Sequence, residues 1–136
     1  MEFRKELQVI ESPVSAEALR KIWEKIFTVS LSTKEKERIF LDQFLWHICS
    51  WGAVSCAAKE EAIALFTNQE KDKCTIFYQF IDDAYMVKNA KELTVHDVPY
   101  EARNMNRNDI YVMDDKLKWT FIMTHEEQCG PYFIKI

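Results

Sequence analysis

The chain has 136 residues, 48% hydrophobic and 13% aromatic, with two glycines, three prolines and a formal charge of −4. That length suits one domain, 1–136, able to bury about two thirds of its unfolded surface without staples, and the composition excludes a disordered chain. The acidic balance argues against a nonspecific nucleic-acid binder, which needs basic side chains to displace phosphate counterions.

In residues 1–15 charges interleave with the few apolar side chains, so no signal-peptide core is expected. No run approaches the roughly 18 apolar residues of a membrane span. The expectation is a cytoplasmic protein without membrane contact, whose four cysteines (Cys49, Cys56, Cys74, Cys129) stay reduced and pack as small hydrophobes.

Ser12-Pro13 offers a helix start, with Ser15 as an alternative N-cap. Leu19, Ile22, Trp23, Ile26 and Phe27 then recur at spacings of three and four, one apolar stripe on an amphipathic helix. Ser32 with Glu35 is a capping box. It predicts a second helix over 33–50, solvated at first and almost wholly apolar from Ile39 until Gly52 ends it. Ser55 caps a predicted third helix through Ala57, Ala58, Ala62, Ile63, Leu65 and Phe66.

The character changes at Cys74. Residues 74–81 and 84–88 are rich in β-branched and aromatic side chains on either side of Asp82-Asp83, and read as a hairpin. Residues 90–100 suit either a strand or a short helical turn, and 101–108 (EARNMNRN) read as a loop. A second hairpin pairs 110–113 with 117–124 around Asp114-Asp115-Lys116. There Leu117, Trp119, Phe121 and Met123 alternate with polar neighbours and Ile122, as one buried sheet face demands. Residues 132–136 supply a last strand. Helices first and strands afterwards predict an α+β fold, with about three N-terminal helices on one face of a mostly antiparallel sheet of four to five strands.

Candidate chemistry gathers at the end of the second hairpin. His125, Glu126 and Cys129 are all zinc-ligand types within five residues, but neighbours on a strand point to opposite faces. No His-Glu-x-x-His or paired Cys-x-x-Cys pattern supports a metal, so neither metal nor cofactor is expected. A cysteine nucleophile needs an activating base and electropositive surroundings, and no cysteine here has a recognisable signature. Asp82-Asp83 and Asp114-Asp115 are accounted for by turn chemistry. No catalytic residue is therefore assigned. What remains is a rim of Thr124, His125 and Glu126 with Tyr132 after the Gly130-Pro131 turn, joined by Tyr111 if the tyrosines line an open sheet face.

The Trp23-Glu-Lys helix, Leu45-Trp46-His47, Asp109-Ile-Tyr-Val, Trp119-Thr120, Thr124-His125-Glu126 and Gly130-Pro131-Tyr132-Phe133 together resemble a family of uncharacterised small proteins common in bacilli and related bacteria. The resemblance spans nearly the whole chain and implies a bacterial, cytosolic protein, with no activity attached. The expected function is a non-enzymatic protein-binding module, of immunity or regulatory type. The alternative is a small metal-assisted hydrolase using His125 with Glu126 or Cys129.

Overall fold

The computed structural model describes residues 3–98, 109–126 and 128–136. The loop expected over 101–108, the end of the ambiguous segment at 99–100, and Glu127 lie outside the described residues.

The first amphipathic stripe forms α1 (Ala16–Phe27), and Ser15 is its cap, accepting the Ala18 amide. The capping box starts α2 (Thr33–Arg38), with Ser32 and Glu35 each accepting the other's backbone N–H. The long second helix does not follow. Phe40 takes φ 56°, a left-handed conformation that a helix cannot pass through. His47 Nδ1 donates to the carbonyls of Ile39 (2.8 Å) and Phe40 (3.1 Å) at this break. Helix resumes only as the single turn α3 (His47–Ser50), after which Gly52 turns the chain at φ 67°.

The reversal brings Cys49 and Cys56 to a Cα separation of 5.6 Å, and they form a disulfide. This corrects the expectation of four reduced thiols: a seven-residue separation closed by a tight turn meets the geometric requirement for a bridge. The third helix also starts later. Ala57–Ala58 form the strand β2, and α4 (Lys59–Asn68) has no side-chain cap, so Ser55 is not its N-cap.

The remaining strands are β1 (Val9–Glu11), β3 (Cys74–Tyr78), β4 (Ala84–Val87), β5 (Ile110–Asp114), β6 (Trp119–Met123) and β7 (Tyr132–Lys135). Two 3₁₀ turns, Ala90–Glu92 and Val95–Asp97, follow β4. Seven strands among the described residues form one sheet in the order β1-β4-β3-β5-β6-β7-β2, every neighbouring pair antiparallel. The fold is α+β. The expected four to five strands fall short because β1 and β2 are edge strands of three and two residues, too short for a periodic signal.

The arrangement of helices on a single face is corrected as well. Leu19, Trp23 and Phe27 of α1, with Ile39, Leu45, Trp46 and Ile48, pack against Phe77, Tyr111, Met113, Ile122 and Ile134. On the other side Ala62 and Phe66 of α4, with Leu93 and Val98, pack against Ile76, Val112, Trp119, Phe121 and Phe133. Successive strand residues point to opposite faces, and here both faces are covered. Trp119, Phe121 and Met123 share the inward face expected of them, toward α4. Leu117 does not join them: at φ 60° it sits in the β5–β6 turn, and it packs with the opposite cluster. Asp114 closes that turn by accepting the Lys118 amide at 3.2 Å, the turn role expected of it.

The α1 face also carries a buried polar frame. Trp23 Nε1 donates to Thr120 Oγ1 (2.9 Å), which donates to the Val112 carbonyl (2.9 Å). The Tyr111 hydroxyl donates to Gln79 Oε1. That oxygen and the Tyr111 hydroxyl accept the backbone amides of Leu45 (3.2 Å) and Trp46 (3.3 Å). Two buried amides of an irregular loop are thus satisfied, and the loop is pinned to the sheet with Trp46 directed toward β7.

Candidate functional site

The antiparallel pairing of β5 with β6 sets Ile110 opposite Met123, so Asp109 falls beside the end of β6. Its Oδ1 accepts both the backbone N–H of His125 (2.6 Å) and His125 Nδ1 (2.8 Å). A carboxylate partner assigns the proton to Nδ1 and leaves Nε2 directed away, 3.5 Å from Glu126 Oε1. Asp109 is buried, and burial pushes its carboxyl up from the ordinary value of 3.8, opposed by the bonds from His125 and by the nearby Trp46 indole. That indole N–H lies outside hydrogen-bond geometry: Asp109 Oδ2 and Trp46 Nε1 are both buried without a hydrogen-bond partner among the described residues.

Glu126 continues the constellation. Its Oε2 accepts the Cys129 thiol at 3.1 Å. Burial, followed by this bond and the glutamate charge, pushes the Cys129 thiol up to about 11. Thiolate is the nucleophilic form, so this environment opposes a cysteine nucleophile. The Tyr132 hydroxyl is pushed up to about 12, first by burial and then by Cys129 and Glu126. Among the described residues, no group of three or more His, Cys, Asp or Glu side chains converges in a way that could hold a metal ion.

The residues predicted from sequence separate on inspection. His125 and Glu126 are partly exposed and adjacent. Thr124 is buried and shapes the loop: its hydroxyl donates to the Glu126 carbonyl (2.7 Å) and accepts the Gly130 amide (3.0 Å). The loop returns through a cis Gly130-Pro131 bond into β7. Tyr132 is buried against Trp46, ring centroids 6.4 Å apart. Tyr111 is wholly buried in the α1 face and is corrected as a surface contact. It faces inward because the sheet side expected to be open is covered by α1 and the 39–48 loop.

What surrounds His125 is a chain of aromatic rings. Phe44 lies 5.2 Å from His125 and 5.2 Å from His47, and Phe80 lies 5.7 Å from Phe44. Trp51 lies 6.3 Å from His47 and 5.7 Å from Phe40. Three of these side chains are well exposed, Phe40 at 47%, Trp51 at 51% and Phe80 at 53%. Phe40 lies in the apolar run expected as a continuous helix from Ile39, and the break at its φ of 56° leaves it exposed instead. Asp109 was assigned no role, although hairpin register alone places it opposite Thr124.

The fold and site together define a small α+β domain with both sheet faces covered and a histidine–carboxylate group bordered by aromatic rings. The chain matches the family described as a domain of unknown function (DUF4275) over residues 1–133, and it belongs to that family. No curated protein and no solved structure matches it. No helix among the described residues is long and apolar enough to cross a membrane.

Proposed function

We propose that the protein is a non-enzymatic protein-binding module of immunity or regulatory type. Its contact surface comprises Phe40, Phe44, Trp51 and Phe80, with His125 and Glu126 as polar members. The observation that carries this reading is a run of neighbouring rings in which exposed Phe40, Trp51 and Phe80 are linked through half-buried His47 and Phe44. Exposed apolar clusters of this kind mark interaction sites, and buried aromatic anchors commonly dominate binding energy. The direct test is recovery of a specific partner by the wild-type chain, compared with a Trp51→Ala/Phe80→Ala variant shown to be folded at the assay temperature. Retained capture by the variant, or no partner together with substrate turnover abolished by His125→Ala, overturns the reading.

The second reading is a small hydrolase using His125. It is favoured by the Asp109–His125 pair, whose geometry matches the orienting half of a catalytic triad. Against it stand the protonated Cys129 thiol and a carboxylate, rather than a hydroxyl or thiol, beside His125 Nε2. A bacterial cytoplasmic setting belongs to the same proposal and rests on the resemblance. The Cys49–Cys56 disulfide is the observation against it, since cytosolic thiols are held reduced.

A further inference from the structure

A cleft of about 790 Å³ lies far from the aromatic surface, between the C-terminal end of α4 and the β5–β6 turn. Five lysines line it: Lys71, Lys91, Lys116, Lys118 and Lys135. Among the described residues none of the five forms an ion pair, although four carboxylates line the same cleft.

Lys71 is the unusual member. It is only 7% exposed, a level that lysine rarely reaches without a counterion. Its ammonium sits 4.7 Å from the centre of the Phe66 ring and donates to the carbonyls of Thr67 (3.3 Å) and Gln69 (3.4 Å). These contacts cap the end of α4, a common role for a lysine there. They are long, however, against the usual N–H···O range of about 2.7–3.2 Å. The ammonium has three protons to donate, so it is both partly desolvated and weakly satisfied. Burial accordingly lowers its pKa. Of the carboxylates, Asp114 is committed to the Lys118 amide, while Glu70, Asp72 and Asp115 are exposed at the rim.

We propose that this cleft binds a small hydrophilic oxyanion of the phosphate class, seated on Lys71 and held by Lys116 and Lys118. An oxyanion supplies strong acceptors to the Lys71 ammonium, and the five lysines of the lining outnumber its four carboxylates by one charge. Apart from the Trp119 edge the lining is polar, which suits a hydrophilic occupant better than an apolar one.

The test is a titration of the full chain with inorganic pyrophosphate at constant ionic strength, read by amide chemical shifts. Saturable shifts at Lys71, Lys118 and Trp119 are expected. Lys71→Met, and separately Lys116→Ser/Lys118→Ser, should each weaken binding by about tenfold or more. Lys71→Met keeps the side chain's length but gives up its hydrogen bonds to the end of α4, so its melting curve is taken before binding is read. If that variant fails to fold, the surface pair decides. Shifts that rise linearly without saturating, that map elsewhere, or that are unchanged in the variants overturn the proposal.

Discussion

Truncating Trp119 tests the buried half of the sheet. Its side chain is 2% exposed and packs between Phe66 and Phe133, each 5.7 Å away between ring centroids. A tryptophan buries up to about 250 Å², and at about 25 cal/mol per Å² that corresponds to about 6 kcal/mol of transfer free energy. Alanine keeps part of that area and the neighbours relax into part of the space. The expected cost of Trp119→Ala is therefore about 3–5 kcal/mol, the usual range for large aromatic truncations. Urea unfolding followed by far-ultraviolet circular dichroism measures it, provided the slope with denaturant is unchanged. Trp51→Ala is the internal control. Its indole is half exposed, so by the same area arithmetic its loss should cost clearly less, about 1–2 kcal/mol. A cost below about 1 kcal/mol for Trp119, or equal costs at both positions, would refute the assignment of Trp119 to the α4-side core.

Gly130→Ala should destabilise by about 1–3 kcal/mol. A Cβ there would lie 2.7 Å from Thr124 Oγ1 and 3.0 Å from Thr124 Cγ2, and that side chain is held by two hydrogen bonds; a melting temperature equal to wild type would contradict it. Asp109→Asn should change the pH dependence of stability. The Asp109 carboxyl is raised above 3.8 in the folded protein, so it contributes stability that is complete below that pH and lost as pH rises through its folded value. The variant should lack this component in unfolding curves taken from about pH 3.5 upward, and an unaltered profile would count against the buried carboxyl. Unfolded without reductant, the chain should expose two reactive thiols, those of Cys74 and Cys129, and four after reduction. Four thiols before reduction would remove the Cys49–Cys56 bridge. In the folded protein Cys74, pushed up to about 12 chiefly by burial, should react far more slowly than in the unfolded chain.

Elements with strong local chemistry were legible from the chain. The Ser32–Glu35 box, the α1 stripe and the Asp114 turn carry signals within a few residues of themselves, and each forms as its pattern demands. The second helix was misread because residues 39–49, apart from Asp42, Gln43 and His47, are apolar. Such a run is consistent with a buried helix, but an irregular loop packed onto a sheet meets the same demand once its amides are bonded. Tyr111 in β5 and Gln79 just beyond β3 supply those bonds from more than thirty residues away, which no local pattern reports.

The candidate site divides along the same line. His125 and Glu126 stood out as polar residues at a strand end, and they are partly exposed there. Their meaning comes from residues remote in sequence. Asp109 reaches His125 through hairpin register, Phe44 and Trp46 reach it through the folding of the 39–48 loop, and Phe80 joins from another loop by packing on Phe44.

Composition, strand periodicity and capping chemistry, read from the chain alone, determined an α+β protein with an antiparallel sheet and a buried Trp119. Only the tertiary structure decided that both sheet faces are covered, that Cys49 meets Cys56, and that Tyr111 is interior while Phe40 and Trp51 are not. The physical reason is that periodicity records whether a side chain needs burial, whereas the element that buries it is chosen by long-range packing.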